Sequence, residues 1–258
     1  MSSAVPGMRE LRPMGPGKFL ADVTGVFQIS AIPALRHWYV TVLAAALIPI
    51  PWFYVTRTIA PDNAPVLLRL MAGTLVFGVT FSIGMFVGQN WVAQRFNGSL
   101  KLLIAMPVSK GSYILGSLLY SAFSGAIIIP ALFGFGLLAG VETRLTWGLA
   151  PVLALAVLTM AGLTLFVVSF APSQQVGNLV TGMLSLVLAA LSPVYFTMEQ
   201  SPLLLKLLGY VSPLRYAADG ITKSLSGQTD VWFELAVLAG FALVTMALGT
   251  WRLPWRED

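Results

Sequence analysis

The chain has 258 residues, a formal net charge of +5, and 57% apolar against only 10% charged residues. An average soluble domain is roughly 25% charged, so this composition excludes a soluble enzyme or binding module and asks how often the chain crosses a membrane. Cysteine is absent, which excludes disulfides and thiolate metal sites; the small basic excess, without a basic-aromatic cluster, reads as membrane topology and anionic-lipid contact, not nucleic-acid binding.

Residues 1–17 scatter Arg9, Glu10 and Arg12 among Pro and Gly, with no apolar core at leader distance, and read as a disordered cytoplasmic tail. Residues 18–32, KFLADVTGVFQISAI, set Phe19, Val23, Val26 and Phe27 at helical spacing, interrupted by Lys18, Asp22 and Gln28. That pattern predicts an amphipathic helix on the membrane surface, with an ordinary soluble helix as the alternative. Pro33 is expected to end it, and Arg36, His37, Trp38 and Tyr39 to anchor the chain at the interface.

Six runs of spanning length follow, at about 38–57, 65–89, 111–139, 146–171, 175–196 and 231–251. Pro49 and Pro51 predict a kink near the outer end of the first, and the third, carrying Pro130, is long enough to tilt. An even number of spans puts both termini on one side. With the termini inside, nine basic residues face inward (Arg9, Arg12, Lys18, Arg36, Arg95, Lys101, Lys110, Arg252, Arg256) and six outward (Arg57, Arg69, Arg144, Lys206, Arg215, Lys223). The excess favours cytoplasmic termini.

Two segments between spans fit neither a loop nor a crossing. Residues 94–116, QRFNGSLKLLIAMPVSKGSYILG, contain a short apolar piece, Leu100 to Met106, interrupted by Lys101 and closed by Pro107. Seven residues of helix rise about 10 Å, a third of a bilayer core. Residues 199–228, EQSPLLLKLLGYVSPLRYAADGITKSLSGQ, are too apolar for an outer loop, yet nine residues from Leu203 to Val211 are too few to cross. Pro202 and Pro213 punctuate two short helices, which predicts a re-entrant hairpin dipping into the outer leaflet, fixed by hydrogen bonds of Tyr216 and Asp219; a surface loop folded over the spans is the alternative.

The span interiors carry almost no ionisable residues. Arg69 and Glu234 are the charges clearly inside a run, both near its outer end, where Arg69 is expected to snorkel and Glu234 to reach water. The single histidine, His37, reads as an anchor rather than a base. An intramembrane enzyme or a proton-coupled pump therefore lacks its working groups. GPGKF at 15–19 lacks the spacing and the Ser/Thr of a phosphate-binding loop, so driven transport would take its energy from another polypeptide.

Three features together resemble one family. NGSLKLLIAMPVSKGSYILGSLL is similar to a pattern of Gly, small hydroxyl, Leu, short apolar helix, Pro and a Gly-containing span start. SPLRYAADGI at 212–221 is similar to a Pro-Leu-x-Tyr-x-x-Asp/Glu signature before the last span, and the layout of surface helix, six spans and outer hairpin matches as well. The whole resembles the permease subunit of a type-2 ATP-binding-cassette exporter, an all-α membrane protein. The resemblance implies that residues 18–258 form one six-span permease domain and that residues 94–107 hold a coupling helix resting on a separate cytoplasmic ATPase, with Gln94, Arg95, Gly98, Ser99, Lys101 and Pro107 at or near the contact. Acidic residues common before the Gly in the family are replaced here by Gln94, Phe96 and Asn97.

It further implies two permease subunits, alike or different, with two ATPase subunits in the inner (plasma) membrane, ATP and Mg sitting on the ATPases and no cofactor in this chain. A substrate cleft is implied at the permease dimer interface, lined by spans one, two and five, with Trp52, Phe53, Phe77, Phe81, Met85 and Met183 as candidates. Such apolar walls point to a hydrophobic or amphipathic small molecule, drug-like or lipid-like, rather than a polyanionic glycan. Export of a lipid-linked glycan and a non-transporting assembly subunit are the alternative functions.

Overall fold

The computed structural model describes residues 15–106, 108–191, 194–195 and 203–252. Among them the chain is helical throughout, apart from short connections and one isolated bridge between Arg144 and Ser226. The helices are α1 (Pro16–Arg36), α2 (Trp38–Ala46), α3 (Pro49–Ile59), α4 (Ala64–Ser82), α5 (Gln89–Phe96), α6 (Ser99–Ala105), α7 (Lys110–Leu138), α8 (Leu149–Ser169), α9 (Gln174–Leu191), α10 (Leu203–Val211), α11 (Pro213–Leu225) and α12 (Trp232–Arg252). A π-helical turn, Ile83–Gly88, joins α4 to α5 without a break.

Contacts between side chains give each helix its direction. α3 runs with α7: Phe53 stands edge-on to Phe135 at 5.5 Å, and Arg57 Nη1 donates to the Ala139 carbonyl at 2.6 Å, covering an orphan carbonyl at the end of α7. The α4–α5 helix runs the other way, with Met71 against Gly136, Leu132 against Gly78 and Ser82 bonded to Ser124 at 2.9 Å. α9 is antiparallel to α4–α5 over its whole length, since Gly177 meets Val92, Gly88 meets Thr181 and Tyr195 covers Gly73. α8 and α12 are parallel, with Gly148 against Val231 and Gly162 against Thr245. Arg252 stands over the Phe170 ring at 4.8 Å, beside the end of α8, and Gly15 lies beside Ser109 and Ser112 at the start of α7. The two ends of the described chain therefore share one end of the bundle with α6, as an even number of passes requires.

Six helical runs are long and apolar enough to cross a membrane among the described residues: α1, α2–α3, α4–α5, α7, α8 and α12. Five of them are the predicted spans one, two, three, four and six. The predicted fifth span, α9, has 18 residues in its described helix and follows α4–α5 from Val92 to Gly73. α1 meets the same measure of length and hydropathy, but it accompanies only the first half of α7, with Phe19 near Gly111, Val26 against Gly116 and Phe27 edge-on to Phe123. Pro33 does not end α1, contrary to expectation; the helix runs on to Arg36. The proline removes only the bond to the Ile29 carbonyl, and both residues lie on the exposed side near the last turn. A break at Leu47 and Ile48 separates α2 from α3 just before Pro49, in the middle of the Trp38–Ile59 run and not near its outer end as expected.

The α4–α5 helix is the axis of the fold. In its most apolar stretch 89% of residues are buried, against 17% for α1 and 22% for α2–α3, so the neighbours wrap around it. Its run from Ala64 to Phe96 outlasts the predicted span because Asn90 and Gln94 do not leave the bundle. Hydroxyls along the spans fold back on their own helices: Thr74 donates to Leu70 O at 2.8 Å, Thr80 to Val76 O at 2.7 Å, and Ser121 to Ser117 O at 3.0 Å. In hydrocarbon that is the nearest acceptor available to them.

Neither intramembrane charge reaches water, which corrects the expectation for both. Arg69 is 6% exposed and its Nη1 lies 2.5 Å from Asp219 Oδ1; Glu234 is 5% exposed and bonded to Lys223 Nζ at 2.8 Å. Both partners come from α11, an amphipathic helix wedged among α4, α8 and α12, with Leu214, Ala217, Ala218, Ile221 and Leu225 buried. Arg215 adds a second contact to Asp219 at 3.3 Å while lying between the Tyr210 and Tyr216 rings, each 5.0 Å away. Tyr216 also donates to the Tyr210 carbonyl at 3.1 Å, so Tyr216 and Asp219 hold the hairpin by hydrogen bonds. Backbone bonds from Arg144 N to Leu225 O (2.7 Å) and Thr146 N to Ser224 O (3.0 Å) tie it to the α7–α8 connection. Pro202 lies outside the described residues.

Removing Asp219 deprives the buried Arg69 of its carboxylate, a loss of about 3–5 kcal/mol in protein interiors. Asp219→Leu is therefore expected to lower the thermal unfolding midpoint in detergent far more than Lys206→Leu, on the same hairpin, and Arg69→Leu/Asp219→Leu to recover part of the loss. Equal midpoints for Asp219→Leu and Lys206→Leu would contradict the buried pair.

Candidate functional site

The site builds up from the end of the bundle where α5 turns into α6. Asn90 and Gln94, four residues apart, project from one face of α5. Asn90 Nδ2 donates to Ser30 Oγ at 2.9 Å, and Gln94 Nε2 donates to the same oxygen at 3.3 Å. Tyr113 Oη donates to Gln94 Oε1 at 2.9 Å. Three helices, α1, α5 and α7, thus share one buried knot of amides and hydroxyls. Arg95, the next residue, turns to the other side and donates to the Val168 carbonyl at 2.6 Å, closing the C-terminal end of α8.

The chain then reverses. Gly98 has φ +81°, a left-handed conformation that glycine adopts without strain, and it starts α6. α6 has two faces. Leu100 and Leu103 are buried, and Leu100 closes a small cavity of about 10 Å³ with Trp91, Arg95, Tyr113 and Leu165. Ser99, Lys101, Leu102 and Met106 point away from the bundle, Leu102 at 67% and Met106 at 46% exposure. A seven-residue helix held by two leucines, showing a mixed apolar and basic face, is a surface built for contact rather than for water.

The six residues expected at an ATPase contact therefore divide. Ser99 and Lys101 are exposed on α6, and Gly98 supplies the turn before it. Gln94 and Arg95 belong to the α4–α5 helix and are engaged inside the bundle, behind the exposed face. Pro107 lies outside the described residues. Sequence reasoning marked Leu100 to Met106 as one apolar piece without separating its exposed Leu102 and Met106, and it passed over Ser30, Asn90 and Tyr113. The spacing of Asn90 and Gln94 on one helix face was the available signal for the knot.

The six aromatic and methionine residues expected along a pathway divide by exposure within this chain. Phe53, Phe77 and Phe81 are buried, at 1%, 4% and 6% exposure, and pack within the bundle. Met85 receives a contact from Gln89 Nε2 at 3.4 Å and is half-buried. Trp52 and Met183 lie on the outside, at 48% and 55% exposure. Around them the outer faces of α2–α3 and α9 are apolar: Leu43, Leu47, Val55 and Ile59 on one, Leu179, Val180, Leu186 and Val187 on the other. Trp52 and Tyr195, with ring centroids 6.4 Å apart, join the two faces.

The sequence matches the family described as ABC-2 type transporter over residues 25–225, from within α1 to the end of α11. The chain belongs to this family. Its match is to the transmembrane subunit of an ABC transporter, of which the ATPase domain is not part, and membership implies partnership with an ABC ATPase. The permease is a multi-pass membrane protein built on apolar helices. A search of curated proteins gave no match.

The knot and the exposed face separate by stability. Gln94→Leu removes two hydrogen bonds of the knot, to Tyr113 Oη and to Ser30 Oγ, each worth about 1 kcal/mol. It is expected to lower the unfolding midpoint of the detergent-solubilised permease, whereas Lys101→Glu, fully outside, leaves that midpoint unchanged. The reverse order would mean that α5, not α6, carries the solvent-facing surface.

Proposed function

We propose that this permease is the membrane half of an ATP-driven exporter that moves a hydrophobic or amphipathic small molecule out of the cytoplasm or the inner leaflet. In this reading it sits in the inner (plasma) membrane with both termini in the cytoplasm. Two permease subunits work with two ATPase subunits, which hold ATP and Mg. α1 lies at the cytoplasmic surface, and α10, whose Leu203, Leu204 and Leu207 are exposed, dips into the outer leaflet beside the exit.

The observation that carries the reading is α6. It stands at the end of the bundle shared by both described termini, anchored by Leu100 and Leu103 and showing Ser99, Lys101, Leu102 and Met106. A cleft on an ATPase would take this face, with Lys101 meeting an acidic rim. Because only Asn97 and Gly98 separate α6 from α5, movement of the ATPase reaches the axial helix across a two-residue turn. Nucleotide drives transport only through unequal interaction with two states of the assembly, and α6 is where that inequality enters the membrane subunit.

The apolar outer faces of α2–α3 and α9 support pairing of two permeases around a hydrophobic route. Trp52 and Met183 are the candidates left on that route. Phe53, Phe77, Phe81 and Met85 would instead shape its wall from behind.

Co-purification from native membranes tests the reading. The intact permease should bring down an ATPase and hydrolyse ATP only with it. Lys101→Glu and Gly98→Leu/Ser99→Leu should reduce the recovered ATPase about tenfold, as loss of roughly 1.4 kcal/mol at the contact would do, while membrane insertion stays normal. ATP hydrolysis by the purified chain alone, or full ATPase recovery with all these variants, would overturn it.

A further inference from the structure

The axial helix changes its hydrogen bonding halfway along. Over Ile83–Gly88 it is a π-helix, a wider turn that is rare and confined to short stretches. The two glycines at its corners are places of backbone contact. A Cβ on Gly84 would lie 2.2 Å from Ser185 Oγ and 2.7 Å from the Thr181 carbonyl, and one on Gly88 would lie 2.8 Å from Thr164 Cγ2 and 3.0 Å from Thr181 Cγ2. Ser185 Oγ donates to the Thr80 carbonyl at 2.9 Å, the same carbonyl that accepts from the Ile83 amide as the wide turn begins. α9 therefore supplies a donor at the point where the α-helical ladder of α4 gives way.

The other neighbour shows the opposite. Thr164 of α8 is fully buried with its methyl against Gly88, and its hydroxyl has no hydrogen-bond partner among the described residues. Other buried threonines of the bundle, such as Thr74, Thr80 and Thr159, each donate to the carbonyl four residues back. Rotation about χ1 exchanges methyl for hydroxyl, so Thr164 can bring an unsatisfied donor to a helix turn whose carbonyls can be re-shared by shifting one residue.

What lies on either side of the turn differs as well. On one side α4 is enclosed in the core, tied by Leu132, Tyr195 and the Arg69–Asp219 pair. On the other, α5 is a short polar lever that ends in α6 and is held by the Ser30–Asn90–Gln94–Tyr113 knot.

We propose that Ile83–Gly88 is the pivot of the transport cycle: α5 and α6 swing about it against α9, the π-turn shifts along the helix, and Thr164 takes up the carbonyl bond that the shift releases. Gly84, Gly88, Ser185 and Thr164 are then positioning residues, acting on transport through the lever. This rests on the coupling role of α6 argued above. A single-residue deletion within Ile83–Gly88 removes the extra residue that a π-turn accommodates and leaves a uniform α-helix. Thr164→Val keeps shape and removes only the waiting donor.

The test uses the permease complexed with its co-purified ATPase in lipid nanodiscs, with spin labels on cysteines placed at Phe96, the exposed end of α5, and Trp251, exposed at the end of α12. Their distance is measured by pulsed electron resonance without nucleotide and after trapping with ATP and vanadate. The otherwise native complex should change distance on trapping. Deletion of Phe86 should abolish the change while the ATPase stays bound and traps nucleotide, and Thr164→Val should shrink the trapped population. A change of native size in both variants overturns the pivot and leaves the coupling role intact. If the deletion variant does not assemble, Thr164→Val alone decides, and a native response from it refutes the proposal. Absence of any distance change in the native complex would instead refute the coupling role itself, and the pivot with it.

Discussion

The structure depends on how closely other helices approach α4–α5. In a bilayer the hydrophobic effect does not drive helices together, because lipid is as apolar as leucine. What remains is close packing, and the axial helix obtains it with four glycines that meet three helices and the segment after α9. Gly73 takes the Tyr195 ring after α9, Gly78 takes Leu132 of α7, Gly84 takes Ser185 of α9, and Gly88 takes Thr164 of α8 and Thr181 of α9. Filling any one would push a neighbour out. The same logic recurs at Gly116 for α1 and at Gly162 and Gly249 for the α8–α12 pair. Electrostatics then completes the far end, where α11 supplies Asp219 to Arg69 and Lys223 to Glu234.

This arrangement explains how a small external helix can govern a buried bundle. α6 follows, across the Asn97–Gly98 turn, the helix against which α3, α7, α8, α9 and α11 pack. Its two leucines and the buried amide knot fix its base, and its exposed face has no structural duty within the chain. Force applied there is delivered to the axis, not dissipated in a loop. In the proposed cycle the π-turn divides that axis into an enclosed part and a lever.

Much of this was legible in the sequence, and the reasons for the rest are physical. Long apolar runs give spans because nothing else satisfies backbone groups in lipid. Pro49 gave the break between α2 and α3, and a seven-residue apolar piece with a lysine gave α6 its place and its two faces. Contacts between distant residues were not legible. Arg69 and Asp219 are 150 positions apart, so Arg69 read as a snorkelling residue instead of a buried one. Gln94 read as part of the ATPase contact, and Asn90 fell just past the predicted span, because their partners, Ser30 and Tyr113, lie on other helices. Aromatic residues in a span read alike whether they fill a core, as Phe53 and Phe77 do, or stand outside, as Trp52 does. The π-turn left no signal apart from its glycines, which suit close packing equally well.

The central claim is that α6 is the face through which an ATPase acts, at the cytoplasmic end of the bundle. Because the chain has no native cysteine, single cysteines at Leu102 and Met106 give a direct measurement: site-specific crosslinking in intact membranes with a short bismaleimide. The account predicts that both crosslink to the ATPase, that cysteines at Trp147 and Trp232, paired at 5.1 Å at the opposite end, do not, and that a membrane-impermeant thiol reagent applied from outside labels only the latter two. Labelling of Leu102→Cys from outside, or an ATPase crosslink from Trp147→Cys, would contradict it.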